Sequence, residues 1–402
     1  MRPEDFGPQA SGDIVPVSFT EVHPITRRPQ TVATYAFLLN PLPASLELSP
    51  RISLQIETAV QALGRLDGLG ALLPNPYLLI RQFLRREAVA SSRIEGTITS
   101  LEDLAVYEDA DEPPPSADDF QEVLNYVRAL ELGLEMLPDR EISAVFVREL
   151  HAVLMSGVRG QDKRPGSYRE SHVYIGHGGS GVADARFVPP PAFDIPALMH
   201  DLERVMIRPP AIPRLVMIAL VHYQFETIHP FEDGNGRVGR LIISLLLQQW
   251  GLLDQPMLYL SDYFERERRA YVDGLLAVSQ QGAWDDWVFF FLEAVRQQAN
   301  DAVQRAQQLL ALRERYRQRY QDRGVVRALV VIDRLFEAPS ISVRQLEQQL
   351  GVSYNTAQSV VSTLEADGVL EEVTGRKRNR RFLAMEIMSV LSSPRSTPTS
   401  RP

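Results

Sequence analysis

An apolar run ends at Ile228 and another begins beside Arg237; between them the chain reads His229-Pro230-Phe231-Glu232-Asp233-Gly234-Asn235-Gly236-Arg237-Val238-Gly239-Arg240. Leu215 to Thr227 and Gly236 to Trp250 both carry apolar residues at helical spacing, so these residues link two helices. The link is acidic, then glycine-rich, then basic. Gly234, Asn235 and Gly236 reach backbone conformations that other residues resist. Successive N–H groups can therefore converge on an anion at the start of the second helix, where the helix dipole adds attraction. Arg237 and Arg240, three apart, share one face of that helix and can both reach polyphosphate oxygens. Asp233 is placed for a hard cation such as Mg²⁺ or Mn²⁺. His229, with an ordinary pKa of about 6.5, suits a general base that takes a proton from a hydroxyl. A glycine-rich helix link with a solvated charge cluster accounts for any one of these features, but not for all of them in register.

This stretch resembles the Fic family motif, His-x-Phe-x-(Asp/Glu)-Gly-Asn-(Gly/Lys)-Arg-x-x-Arg, at every defined position. The resemblance implies that the chain transfers AMP from ATP to a hydroxyl side chain of a target protein. His229 would be the catalytic base, Phe231 the anchor of the loop, and Asp233 the ligand of Mg²⁺ (or Mn²⁺). Gly234, Asn235 and Gly236 would hold the α- and β-phosphates, and Arg237 and Arg240 the rest of the triphosphate. Glycine at position 236, where phosphotransferase relatives carry Lys, favours AMP transfer. Pro165–Arg169, His172–Gly176 and Phe187–Pro191 resemble the family's β-hairpin flap, which aligns a target's backbone by strand addition. Tyr271 and Val188 would add contacts to ATP, although Tyr271-Val272 and Glu267 depart from the family's usual residues, and Tyr271 is equally readable as a core aromatic.

Ser91-Ser92-Arg93-Ile94-Glu95-Gly96 closes a helix that starts at Tyr77. Ser91 and Glu95 share a helix face, and Gly96 is a natural helix stop. The segment resembles the family's inhibitory pattern, (Ser/Thr)-x-x-x-Glu-(Gly/Asn). That resemblance implies that Glu95 pairs with Arg240 and misaligns the triphosphate.

The 402 residues call for more than one domain, and 45% hydrophobic with 23% charged residues is an ordinary globular balance. The fold expected is mainly α: a helical core of the Fic type with a β-hairpin flap, followed by a winged helix-turn-helix. Residues 1–35 read as an extended arm, 36–115 as a helical region containing the inhibitory helix, 116–320 as the catalytic core and connector helix, 325–385 as the winged helix, and 386–402 as a disordered tail. Glu108 to Ser116, containing three consecutive prolines, is expected as a loop. In the C-terminal unit, Gly351-Val352-Ser353 separates two helical patterns. Asn355, Thr356 and Gln358 open the second, and Gly375 to Arg381 forms a basic run. These residues could meet DNA base edges and phosphates, and they could equally serve protein docking or dimerisation. The overall net charge of −9 argues against nucleic acid wrapping the whole surface. The chain has no cysteine. Together with a start that lacks a signal-peptide pattern and the lack of any membrane-length apolar run, this fits a cytoplasmic protein with no membrane partner. Two alternatives to an adenylyltransferase stay open: a DNA-binding regulator whose Fic fold senses nucleotide, and a de-AMPylase in which Glu95 activates water.

Overall fold

A computed structural model describes residues 1–22, 28–72, 77–108, 117–176, 182, 185–376 and 378–392. The N-terminal residues are not a loose arm. β1 (Gly12–Val22) and β2 (Pro29–Leu39) pair antiparallel, Gly12 opposite Leu39 and Val15 opposite Ala36. Ile14, Val15, Val17, Val32 and Thr34 supply β-branched side chains to these strands, and Phe19, Ala36, Phe37 and Leu39 are buried. The Phe37 N–H donates to the Val188 carbonyl at 2.9 Å, which ties the hairpin to the rest of the chain.

Helices then dominate: α1 (Pro50–Leu72), α2 (Tyr77–Ile94), α3 (Leu101–Tyr107), α4 (Ala117–Met136) and α5 (Ala144–Leu154). After the flap segment come α6 (Ile195–Ile207), α7 (Arg214–Ile228), α8 (Asn235–Gln249), α9 (Ser261–Arg266), α10 (Arg268–Gln281) and α11 (Trp284–Asp322). Every residue of α7 from Leu215 to Phe225 is buried, as befits a helix apolar on all sides. The 39 residues of α11 run roughly 58 Å at 1.5 Å per residue and carry α1 along one flank and α12 and α15 further on. In the flap, Ile175 and Phe187 form an isolated antiparallel bridge rather than paired strands. Residues 177–181 of the glycine-rich segment and 109–116 of the expected proline loop lie outside the described residues.

The C-terminal unit runs α12 (Val326–Glu337), β3 (Ser340–Ser342), α13 (Val343–Leu350), α14 (Tyr354–Ala366), β4 (Glu371–Glu372), β5 (Arg381–Leu383) and α15 (Met385–Ser392). Its strands form an antiparallel sheet in the order β3-β5-β4. Gly351, left-handed at φ 61°, ends α13, and the Ser353 side chain caps α14 by accepting from the Thr356 N–H. The segment expected to begin a disordered tail at 386 is the helix α15 as far as Ser392, because Ile387, Met388 and Leu391 give it an apolar face that is buried; residues 393–402 lie outside the described set.

The unit docks on α2 and α3. Gln82, buried in α2, donates to the carbonyls of Phe336 (3.2 Å) and Glu337 (2.8 Å), and Arg85 donates to Glu337 at 3.1 Å. These side chains satisfy the last carbonyls of α12, which have no partners within the helix. Gln82→Ala leaves the Phe336 carbonyl without its side-chain donor and the Glu337 carbonyl with Arg85 alone, at a cost of about 1–3 kcal/mol. The expected outcome is a lower thermal midpoint with faster amide exchange in α12; unchanged exchange there would contradict this docking.

Candidate active site

The site is built where α7 stops. His229 follows the last helical residue and is left-handed, φ 51° and ψ 61°, a conformation that costs a non-glycine residue roughly 1–2 kcal/mol. Its Nδ1 lies 3.3 Å from the Glu226 carbonyl. A carbonyl can only accept, so Nδ1 carries the proton and Nε2 keeps its lone pair. Burial, reinforced by the nearby Arg169 cation, lowers the imidazole to about 4, against the opposing pull of the Glu226 carbonyl, Glu95 and Asp233. His229 is therefore neutral at physiological pH.

The loop after it is held from within. The Asn235 side chain accepts the Phe231 N–H and donates to the Phe231 carbonyl, both at 2.9 Å. Its amide thus shapes the loop. Phe231 is fully buried and stacks on His151 with 3.7 Å between centroids. His151 Nδ1 accepts the Gly166 N–H at 2.9 Å, which leaves Nε2–H to donate to the Asp233 carbonyl at 3.1 Å. Gly234 caps α8 at φ 76°, a left-handed turn suited to glycine. The first amides of α8 have no partners within the helix and face the loop. Asp233 keeps a carboxylate that is 45% exposed.

Both arginines are engaged by carboxylates. Arg240, 2% exposed, donates from Nε to Ser91 Oγ (2.8 Å) and from Nη2 to the Ser91 carbonyl (3.0 Å) and Glu95 Oε1 (2.7 Å). Burial alone would raise the Glu95 carboxyl; Arg240 more than offsets this and holds it below its ordinary value. Gly96 leaves the helix at φ 95° immediately afterwards. A Cβ at Gly236 would stand 2.3 Å from Glu95 Oε1, so no other residue fits beside the engaged glutamate without displacing it. Arg237 meets Glu122 at 3.3 Å and Asp233 at 3.7 Å, and Thr97 donates to Glu122 at 2.9 Å.

Of the residues singled out in the sequence, His229, Asp233, Gly234, Asn235, Gly236, Arg237, Arg240, Ser91, Glu95 and Gly96 gather at this one place. Tyr271 adjoins this place, its hydroxyl beside Arg240, and Val188 lies in the core. Val188 is fully buried. Tyr271, 4% exposed, stacks on Phe264 and lies 2.8 Å from His222 Nε2 through its hydroxyl. Three residues escaped sequence reading. Glu122 and His151 come from helices far away in the chain, marked only as polar residues beside apolar stripes. Glu226, which burial raises to about 7 with Arg240 opposing, stands one turn before His229 and was hidden in an apolar run.

Two family models cover the segment that carries these residues. Residues 54–135 match the Fic/DOC family N-terminal model and residues 141–247 the Fic/DOC family model. A protein named "Probable protein adenylyltransferase" from Aquifex aeolicus is 26% identical over 213 residues, 50% of this chain and 61% of that protein. Protein adenylyltransferase Fic of Drosophila erecta is 31% identical over 140 residues, 34% of this chain and 26% of that protein. The chain thus spans less than two thirds of either relative. A crystal structure of a Fic family protein from Desulfovibrio desulfuricans superposes with a TM-score of 0.53 at 24% identity, covering 84% of this chain and 97% of that one, and shares the fold. By these matches the chain carries a Fic domain preceded by a Fic/DOC N-terminal region.

Three imidazoles, two of them buried and that of His229 half-buried, give the site a pH signature. His151, His222 and His229 are lowered to about 4, 3 and 4, in each case chiefly by burial. Between the unfolded value of 6.5 and pH 4 the unfolded chain binds protons that the folded chain refuses, so stability from these groups is lost as pH falls. Each contributes a slope of up to about 1.4 kcal/mol per pH unit, whereas Glu226 slopes the opposite way between 4.5 and about 7. Thermal unfolding across this window is expected to show a shallower acid slope for His151→Gln than for the parent; identical slopes would mean that His151 is not buried as a neutral ring.

Proposed function

We propose that the chain is an auto-inhibited protein adenylyltransferase, which moves AMP from ATP onto a Ser, Thr or Tyr hydroxyl of a target protein and releases pyrophosphate. The observation that supports this reading is the convergence of the His229 imidazole, the uncapped start of α8 and a buried arginine paired with Glu95. In the reaction, the target hydroxyl oxygen attacks the α-phosphorus, the bond to the bridging oxygen breaks, and pyrophosphate leaves. The hydroxyl proton passes to His229 Nε2, the nitrogen left open by the Nδ1 contact to Glu226. The negative triphosphate raises the basicity of a ring that burial and Arg169 otherwise depress. The α8 amides with Gly234 and Gly236 receive the α- and β-phosphates, Arg237 and Arg240 the remainder.

Among the described residues no cluster of three or more His, Asp or Glu could hold a metal by protein ligands alone. The half-exposed Asp233 carboxylate fits Mg²⁺ or Mn²⁺, which commonly binds one or two carboxylates together with substrate phosphates. When bound, such an ion would neutralise phosphate charge. The flap would align the target backbone beside Ile175 and Phe187 by strand addition. The target, its residue and the signal that frees Glu95 belong to the biology around the chain.

Freeing Arg240 restores a charge-assisted contact to the triphosphate worth on the order of 1.5–3 kcal/mol, or roughly tenfold or more in rate. With labelled ATP, Glu95→Gly is expected to raise AMP transfer by that factor, Arg240→Ala to cancel the gain, and His229→Ala to abolish transfer. Equal rates for the parent and Glu95→Gly would reduce Glu95 to a helix-end residue, and transfer surviving His229→Ala would remove the base. Asp233→Ala, or excess chelator, should stop turnover.

We read residues 325–385 as a winged helix that meets duplex DNA, on the strength of exposed Tyr354 and Asn355 at the start of α14 and exposed Arg376 and Arg378 at the tip between β4 and β5. Arg381, also in the basic run, is not part of that surface: it is buried and donates to the Val106 carbonyl at 2.9 Å. Duplex binding by the full chain is expected to weaken steeply between about 50 and 200 mM salt. No binding at low salt would leave docking as the unit's role.

A further inference from the structure

Arg169 is a buried cation without a counter-ion. It is 2% exposed, and no carboxylate lies within salt-bridge distance among the described residues. Its guanidinium instead donates to main-chain carbonyls: Nε to His229 at 2.8 Å, Nη1 to Ser171 at 2.9 Å, and Nη2 to Pro190 at 2.6 Å and Ile228 at 3.4 Å. Its own N–H donates to the Pro230 carbonyl at 2.9 Å. Burying a guanidinium without a paired charge is costly, and here burial lowers its pKa to about 10. The arrangement is built for the place where α7 ends. The exposed carbonyls of a helix C-terminus carry partial negative charge that attracts a cation, and a planar fork can satisfy several at fixed angles where an ammonium cannot.

We infer that Arg169 is a positioning residue for the AMP-transfer reaction: it clamps the left-handed main chain of His229 to the flap, through Pro190, so that base and target strand keep one geometry. Three features support it. His229 occupies a strained conformation, and such conformations persist only where the surroundings over-determine them. The carbonyls on either side of the His229 Cα, those of Ile228 and His229, are both held by this one side chain. Pro190 stands three residues beyond Phe187, the flap residue that bridges Ile175, so one guanidinium spans the flap and the catalytic turn. A mismatch of about 1 Å between base and hydroxyl can cost on the order of a hundredfold in rate.

The inference rests on the reading of His229 as base, and the test separates the two. In the Glu95→Gly protein, Arg169→Lys and Arg169→Ala are compared for ATP affinity, thermal midpoint, kcat and KM. Lys keeps the charge but loses the fork. Both variants are expected to lower kcat tenfold to a hundredfold while the KM for ATP stays within about twofold, since Arg169 touches the turn and the flap but not the nucleotide loop's amides. Guanidinium ion at millimolar concentration should restore part of the rate in Arg169→Ala and none in Arg169→Lys, whose side chain fills the gap. A kcat for Arg169→Lys equal to its parent's would overturn the role, as would a loss of kcat accompanied by an equal loss of ATP affinity. No transfer by the Glu95→Gly parent itself would overturn the proposed function, and this role with it.

Discussion

A buried guanidinium must find all its partners within the protein, and the site is organised around the carboxylate that pairs with Arg240. With Glu95 in place, Arg240 makes three hydrogen bonds to the last turn of α2. Burial confines Arg240 to the groups around it, with Glu95 the nearest carboxylate and Glu226 and the Tyr271 hydroxyl beside it. A surface arginine could share itself with solvent and ligand alike, whereas a side chain 2% exposed has only the partners its walls provide. The carboxylate is the more accessible partner, 38% exposed, so it is the group that can leave. That asymmetry favours a mobile glutamate over a mobile arginine.

The same logic extends outward from α7 and α8. The α7 helix is buried on all sides, so its end is fixed in space, and a left-handed His229 turns the chain towards α8 with little freedom. Phe231 against His151, and Asn235 against Phe231, close the loop from inside, and the half-exposed Asp233 carboxylate accepts the Gly234 N–H at the start of α8. Arg237 is balanced by Glu122, itself bonded to Thr97 just beyond the end of α2. The end of α2 and the residues after it therefore reach both arginines, one directly and the other through Glu122. On its far side α2 caps α12 through Gln82 and Arg85, so Ser91 and the contacts to the C-terminal unit lie on one helix.

What the sequence revealed follows from how local each feature is. The helix-loop-helix from Leu215 to Trp250 was readable because its turn chemistry and charges lie within twelve consecutive residues. The α2 ending was readable because Ser91, Glu95 and Gly96 are one turn apart. Arg169, Glu122 and His151 act over long separations in the chain, where no spacing rule operates, and an isolated polar residue looks the same whether it is solvated or buried. The N-terminal hairpin was missed for another reason. Its prolines and threonines resemble a loose arm, and the β-branched residues between them become informative only once Val188 is seen to hold the second strand. The flap resisted in the opposite direction, since its β-prone runs join through one bridge. The amide of Asn235 is bonded within the loop, a structural role that its place in the motif does not reveal.

The central claim is that Glu95 and the γ-phosphate compete for Arg240. The ratio of ATP to ADP affinity, measured by calorimetry for the parent and for Glu95→Gly, tests it without depending on any target protein. If the claim holds, the parent binds the two nucleotides about equally, because its arginine is occupied, and removal of the carboxylate favours ATP by roughly tenfold, the worth of one charge-assisted contact. The same ratio in both proteins would show that Arg240 is not held from the γ-phosphate by Glu95.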